Sequence, residues 1–296
     1  AAKMSPSRAV SETFEPGSVG KVISMSGYLQ MGLHKMSDQL SVPDHITQEG
    51  QTYKDSFDHG TERWTLAGIL QNSSNVGMIM AGENYPDEQR YEYLTKFGIG
   101  QPTGLNLPGE SSGLLTNPSA WDLRTRNTIL FGQGYTVNAL QLNNVVATIA
   151  NKGVKQQQSI IKSTTDANGK TTESKKGEAT RVVDEKVASD MMNAMESVAE
   201  GYNKFVKVDG YRMAAKSGTA EVQGSDGTLS SIISDYSVVI PADNPRYAVT
   251  VVMKDPNGVF GGLTAGPVSA QICEFLMQKY EVPVSGPRKN AIPVTW

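Results

Sequence analysis

Cysteine is almost missing from this chain of 296 residues: Cys273 stands alone, so no intramolecular disulfide can form and no thiolate cluster can hold zinc. One thiol leaves the redox compartment unassigned. Histidine is also scarce. His34, His45 and His59 lie in one early stretch, at spacings that match no metal motif, so no metal and no cofactor is expected. Charged residues make up 19% of the chain, below the usual share of about 25%. The formal net charge of -3 supplies no basic face for nucleic acid. No apolar run approaches the roughly 18 residues of a membrane span. The start, Ala1-Ala2-Lys3-Met4-Ser5-Pro6, has no apolar signal core, so any export signal or anchor is expected outside this sequence.

What is present is apolar patterning with two characters. At about 150 residues per domain the length fits one large domain or two small ones, either with a sizeable core. Phe14-Glu15-Pro16-Gly17 reads as a turn, and Val22, Met25 and Leu29 follow at helical spacing. Residues 34–60 read as an irregular excursion. Helical spacing returns over 61–71 (Trp64, Leu66, Ile69, Leu70), breaks at Asn72-Ser73-Ser74-Asn75 and resumes at Val76–Met80. Pro86 opens a helix that Gly98 closes. Residues 98–118 read as loop, 138–151 as helix, 155–180 as a hairpin or loop, and Val187–Gly201 as helix. In the last third, Tyr211–Val222, Ser234–Ile240 and Tyr247–Met253 read as antiparallel strands. A final helix, Val268–Tyr280, is expected with Ile272, Phe275 and Leu276 on its apolar side. An α/β (α+β) fold follows, with helices covering the sheet.

Three short patterns could carry chemistry. Ser18 and Lys21, three apart on a helix, share a face, so an amine can take the proton that a serine nucleophile must lose. The overlapping Gly17–Val22 imitates a phosphate loop, but that motif needs Gly at 15 and Ser or Thr at 22, where the chain has Glu15 and Val22. Ser73-Ser74-Asn75 places a hydroxyl and an amide between apolar helical segments, where they could relay a proton and hold an amide. Lys216-Ser217-Gly218-Thr219, on a strand, combines a cation and two hydroxyls into a strip suited to a carboxylate. Taken singly, each has a plain structural reading: a capping serine beside a solvated lysine, a helix break, an edge strand with a protective lysine.

Taken together and in this order, Ser-x-x-Lys, Ser-x-Asn and Lys-Ser-Gly-Thr form a known trio of penicillin-recognising enzymes. The chain resembles the transpeptidase domain of class B penicillin-binding proteins, the septal or elongation enzymes that cross-link peptidoglycan. The resemblance runs from about residue 8 to 281. It takes in Phe14-Glu15-Pro16-Gly17-Ser18, Thr103-Gly104-Leu105-Asn106-Leu107-Pro108-Gly109-Glu110, Gly132-Gln133-Gly134, Pro241-Ala242-Asp243-Asn244-Pro245-Arg246-Tyr247 and Gly266-Pro267-Val268. It implies the penicillin-binding transpeptidase and serine β-lactamase-like fold: a central antiparallel sheet flanked by helices, plus an all-helical subdomain. One transpeptidase domain over 1–296 is expected, with a helical lobe mainly at about 30–150 and a sheet lobe mainly from 1–29 and 151–296. The membrane anchor and N-terminal pedestal usual in the family are expected outside this sequence, with a shortened sheet edge before Arg8. Most of the family has Thr where this chain has Ser217; the hydroxyl is kept.

For the site, the resemblance implies that Ser18 is the nucleophile, Lys21 the base and Ser73 the proton relay. Lys216 would supply charge, Asn75 would hold the substrate amide, and Ser217 and Thr219, around Gly218, its carboxylate. Backbone N–H groups of Ser18 and Thr219 would form the oxyanion hole. The implied activity is D,D-transpeptidation on peptidoglycan stem peptides through an acyl-enzyme, with β-lactams as inhibitors. The implied setting is the extracytoplasmic face of the bacterial membrane, beside divisome or elongasome membrane proteins. No nucleic acid is expected as a partner. A DD-carboxypeptidase, a β-lactamase-like hydrolase and a β-lactam-sensing or silent receptor domain are the alternatives. The chain has no Glu-x-x-x-Asn stretch of the class A deacylating kind, so a persistent acyl-enzyme is expected. Cys273 and the Met191, Met192, Met195 stripe read as core, and the histidines as surface or locally bonded. Lys175-Lys176 reads as a solvated pair, and Gly224–Ser231 as either a lip over the site or a hairpin loop.

Overall fold

The computed structural model describes residues 5–175, 177–223, 229–258 and 260–296. Most of the Gly224–Ser231 segment and one lysine of the 175–176 pair therefore lie outside the described residues. A short helix, α1 (Arg8–Ser11), precedes a 3-10 turn at Gly17–Gly20 that runs directly into α2 (Lys21–Gln30). Every residue from Lys21 to Leu29 is buried, which makes α2 a central helix rather than a surface one.

The stretch expected to be irregular is built of short strands. β1 (Gln39–Val42) pairs antiparallel with β4 (Glu62–Thr65), and β2 (His45–Gln48) pairs with β3 (Gln51–Lys54). Trp64, expected on a helix, therefore lies on β4; α3 (Leu66–Asn72) starts only after Thr65, whose hydroxyl caps it by accepting from Gly68 N. α4 (Asn75–Ala81) follows with Ser74 as its cap, then α5 (Asp87–Phe97), closed by Gly98. After α6 (Leu123–Thr128), α7 (Ala139–Ala150) opens with a capping box between Asn138 and Gln141. β5 (Val154–Gln156) pairs with β8 (Ala179–Arg181), and β6 (Ser163–Thr165) with β7 (Thr171–Glu173). α8 (Glu185–Gly201) then leads to the main sheet.

That sheet consists of β9 (Ala214–Gln223), β10 (Leu229–Ile240) and β11 (Tyr247–Lys254), antiparallel in the order β11-β10-β9. β9 begins at Ala214, three residues later than expected, because Val208 and Tyr211 close a separate bridge before it. α7 and α8 pack on the sheet from one side, and the last helix, α9 (Gly261–Lys279), packs from the other. α9 starts well before Val268, with Pro267 inside it. Its expected apolar side holds only for Leu276, which is partly buried against the core; Ile272 is 38% exposed and Phe275 57%, while Ala265, Ser269, Cys273 and Met277 are buried. Four residues spaced by four form one ridge, and the small size of Ala265, Ser269 and Cys273 lets the helix lie close to the sheet, with Met277 closing the ridge at its end. Cys273 is indeed a packed thiol. Beyond α9 the tail returns to β4: Thr65 N donates to Val294 O and Trp64 bridges Thr295.

Candidate active site

The three sequence patterns meet in one cleft. Ser18 lies on the 3-10 turn, and Lys21 is the first residue of α2, one turn further on. The Lys21 amine, fully buried, stands 2.8 Å from Ser18 Oγ. It also reaches Ser73 O at 2.6 Å, Ser73 Oγ at 3.2 Å and Asn75 Oδ1 at 2.8 Å. Ser73 can turn both its carbonyl and its hydroxyl inward because it ends α3 in the left-handed region (φ 58°, ψ 33°), a sparsely populated conformation for a serine. Ser74 caps α4 by accepting from Gly77 N, which fixes Asn75 at the first position of that helix. From the opposite wall Lys216, on β9 and also fully buried, reaches Ser73 Oγ at 2.9 Å and the carbonyl of Ser217 at 3.0 Å. Ser73 is thus shared by two amines.

These positions set the charges. Burial pushes Lys21 well below the ordinary lysine range, and the Lys216 cation pushes it further in the same direction. Burial lowers Lys216 to about 7, against the pull of the Asp235 carboxyl, which acts to raise it. A neutral Lys21 amine has two hydrogens and one lone pair. Ser73 O and Asn75 Oδ1 can only accept, so they take the hydrogens and leave the lone pair for the Ser18 hydroxyl. The arrangement can therefore deprotonate a serine.

Close backbone approach brings the serine turn to β9, where a Cβ at Gly17 (φ 51°) would meet Thr219 O at 2.6 Å, and a second glycine packs the turn from another side. Gly132, at φ 90°, lies so near the turn that a Cβ there would meet Gly17 O at 1.8 Å, and Gly17 N donates to Gly132 O at 3.0 Å. The cleft above has a volume of about 410 Å³; Ser18, Ser73, Asn75, Ser217, Gly218 and Thr219 all line it. Ser217 and Gly218 are buried, Thr219 half-buried. Phe57, Phe131, Tyr202 and Phe260 add aromatic walls.

Some contributors were not visible in the patterns. Asp55 is buried and accepts from Asn75 N at 2.6 Å and Val76 N at 3.0 Å, so a carboxylate holds the start of α4. His59, distant from every pattern in sequence, bonds Asp55 Oδ2 at 3.0 Å through Nε2, while its Nδ1 meets Gly60 O at 2.6 Å. Both ring nitrogens are engaged, so His59 has none left to serve Ser18 as a triad base. Tyr202, at the end of α8, places its hydroxyl 3.0 Å from Ser217 Oγ. Local composition carried no signal for these three. Among the described residues no group of three or more His, Cys, Asp or Glu could hold a metal ion, and no helix is long and apolar enough to cross a membrane.

Comparison with known proteins gives the same family from three directions. Residues 3–274 match the model of the penicillin binding protein transpeptidase domain. The chain is 34% identical over 291 residues to penicillin-binding protein PbpB of Mycolicibacterium smegmatis, covering 94% of this chain and 45% of that protein. It is 35% identical over 271 residues to peptidoglycan D,D-transpeptidase FtsI of Escherichia coli, covering 90% and 44%. The chain thus spans less than half the length of these relatives. Among solved structures, a peptidoglycan synthetase from Bifidobacterium adolescentis superposes with a TM-score of 0.94 at 69% identity, over 98% of this chain and 53% of that one. Penicillin binding protein 3 from Mycobacterium tuberculosis, complexed with ampicillin, superposes with a TM-score of 0.90 at 33% identity, over 98% and 67%.

Proposed function

The chain belongs to the penicillin binding protein transpeptidase family, and from that premise we propose that it is the catalytic part of a peptidoglycan D,D-transpeptidase, acylated on Ser18. The observation that carries this reading is the 2.8 Å approach of a buried, cation-flanked Lys21 amine to Ser18 Oγ. Ser18 Oγ attacks the carbonyl of the terminal D-Ala-D-Ala bond while its proton passes to Lys21. Ser73, bonded to both amines, hands its hydroxyl proton to the nitrogen of the departing D-Ala and takes back from Lys21 the proton that came from Ser18, leaving an ester on Ser18 and a neutral Lys21. The amine of a second stem peptide then attacks that ester, forms the new amide and returns a proton to Ser18. Backbone N–H groups of Ser18 and Thr219 receive the oxyanion, each donor contributing ~2.7–4 kcal/mol in comparable acyl-transfer sites. Asn75 holds the substrate amide. Ser217 and Thr219 hold its carboxylate across the bare Gly218, and Lys216 provides the charge.

The proposal extends to the division of the chain. A lobe of about 30–150, mainly helical but holding the small pairs β1–β4 and β2–β3 and sending α7 onto the main sheet, faces a sheet lobe, and the reaction takes place where α2, the α3–α4 break and β9 meet. On this reading the natural setting is the extracytoplasmic face of a bacterial membrane, beside division or elongation membrane proteins. β-Lactams, as mimics of the D-Ala-D-Ala terminus, acylate the same hydroxyl. Mass spectrometry after exposure to penicillin tests this directly. The expected result is one stable adduct on the peptide containing Ser18, absent in Ser18→Ala. No adduct, or an adduct elsewhere, refutes the assignment; rapid turnover of the adduct favours the hydrolase alternative.

A further inference from the structure

One buried carboxyl takes part in none of these steps, yet it lies beneath the lysine strand. Asp235, on β10, stands directly across from Gly218, and Lys216 stands across from Ser237. Residues two apart on a strand share a face, so these four turn together toward the side that receives the Ser18 turn. The Asp235 carboxyl is fully buried, and neither of its oxygens has a hydrogen-bond partner among the described residues. Such a group is rare enough to require a reason. Gly218 is what admits it: a Cβ at that position would fall 2.3 Å from Asp235 Oδ2 and 2.6 Å from Pro16 O, in the segment leading to Ser18. The glycine between the two hydroxyls of Lys-Ser-Gly-Thr thus opens room on its underside for a carboxyl.

We propose that Asp235 is a positioning residue for acylation, the counter-charge that keeps Lys216 protonated beside Ser73 and the carboxylate end of the cleft. The inference rests on the roles given above to Ser18 and Lys216. A proton on Lys216 finds acceptors in Ser73 Oγ at 2.9 Å and Ser217 O at 3.0 Å, whereas a proton on Asp235 finds none. Burial pushes Lys216 down and Asp235 up, and each opposes the shift of the other, as two groups facing each other in a dry site must. The other surroundings supply little charge. Lys21 lies beyond Lys216, on the far side of Ser73. α7 has no titratable side chain, the β11 partner of Asp235 is Val252, and α9 packs on the opposite face.

The test is the pH profile, from pH 5 to 9, of acylation by a fluorescent penicillin, for the wild-type chain, Asp235→Asn and Asp235→Ser, with thermal melts alongside. Without the carboxylate, Lys216 loses the influence that raises it, so the alkaline limb of the rate moves to lower pH by about one unit in both variants. With Lys216→Arg, whose guanidinium stays charged, the same Asp235 changes leave the limb in place. An unshifted limb in a folded Asp235→Asn protein overturns the proposal, and Asp235→Ser decides if Asp235→Asn does not fold. If the wild-type chain forms no Ser18 adduct, the functional assignment has failed instead. Melting temperatures then judge the pair alone: a wild-type to variant difference that changes across pH 5–9 supports coupling, and a constant difference overturns it.

Discussion

Replacing Lys21 with methionine isolates the proposed base. The side chain stays unbranched as far as Cε, with sulfur in place of Cδ, and loses its amine, which at present meets Ser18 Oγ, Ser73 O, Ser73 Oγ and Asn75 Oδ1 within 3.2 Å. General base catalysis contributes about 10²–10⁴-fold, or ~2.7–5.4 kcal/mol of barrier, and the rate of single-turnover acylation by penicillin should fall by that much. Stability responds differently. Two acceptors, Ser73 O and Asn75 Oδ1, lose their donor at roughly 1–3 kcal/mol each, offset by no longer burying an amine. Because Lys21 lies well below its ordinary value in the folded chain, the unfolded chain binds more protons between the two values. Wild-type stability therefore rises with pH across that interval: the penalty is complete below the folded value and gone above about 10.4. The variant lacks this slope, so the wild-type advantage in melting temperature should grow from neutral pH towards pH 10. Acylation within tenfold of wild type, or a melting difference indifferent to pH, would refute the neutral-base argument.

Three further outcomes follow from other parts of the molecule. Gly132→Ala places a Cβ 1.8 Å from Gly17 O at a left-handed position, so the Ser18 turn must shift; acylation should fall at least tenfold, more than a modest drop in melting temperature would explain. Glu196→Gln breaks a buried cluster in which Glu196 meets both Arg212 and Arg288; the cost is about 3 kcal/mol because Arg212 remains 24% exposed, and calorimetry should show a fall of roughly 5 °C. Tyr202→Phe removes only the hydroxyl at 3.0 Å from Ser217 Oγ, at about 0.5–1.5 kcal/mol, so apparent penicillin affinity should weaken roughly 2–12-fold; an unchanged affinity would place the bond outside recognition.

The parts of the site visible in the sequence are those whose chemistry is local. Ser18 and Lys21 are one turn apart, and Asn72–Asn75 interrupts two apolar helical stretches, so both patterns announced themselves. Only the family resemblance ties them to Lys216, because nothing in a strand pattern says which helix will face it. Asp55, Tyr202 and Asp235 were missed for the same reason: each acts across the fold on a residue at least fifteen positions away. Periodicity also misled where two structures produce similar spacing. Trp64 and Leu66 fit a helical series, but a strand ends between them at Thr65. On α9, spacing puts Ile272 and Phe275 on the packed side with Leu276, whereas close approach to the sheet selects the small Ala265, Ser269 and Cys273 and leaves Ile272 and Phe275 exposed.

Two buried amines bonded to one hydroxyl form an unusual arrangement, and its electrostatics account for the chemistry. If both were charged, two cations would sit in a low-dielectric site with one serine oxygen between them, so one amine must give up its proton. The structure decides which. Lys216 has a carboxyl that acts to keep it charged, whereas the Lys216 cation drives Lys21 down. Lys21 is therefore the amine that becomes neutral, and it is the one 2.8 Å from Ser18 Oγ. The cation left on the strand then serves a second purpose, because it stands behind Ser217 at the end of the cleft where a carboxylate would dock. On the proposed mechanism, base activation and carboxylate recognition are one arrangement of charge, so a change at Lys216 is expected to disturb both together.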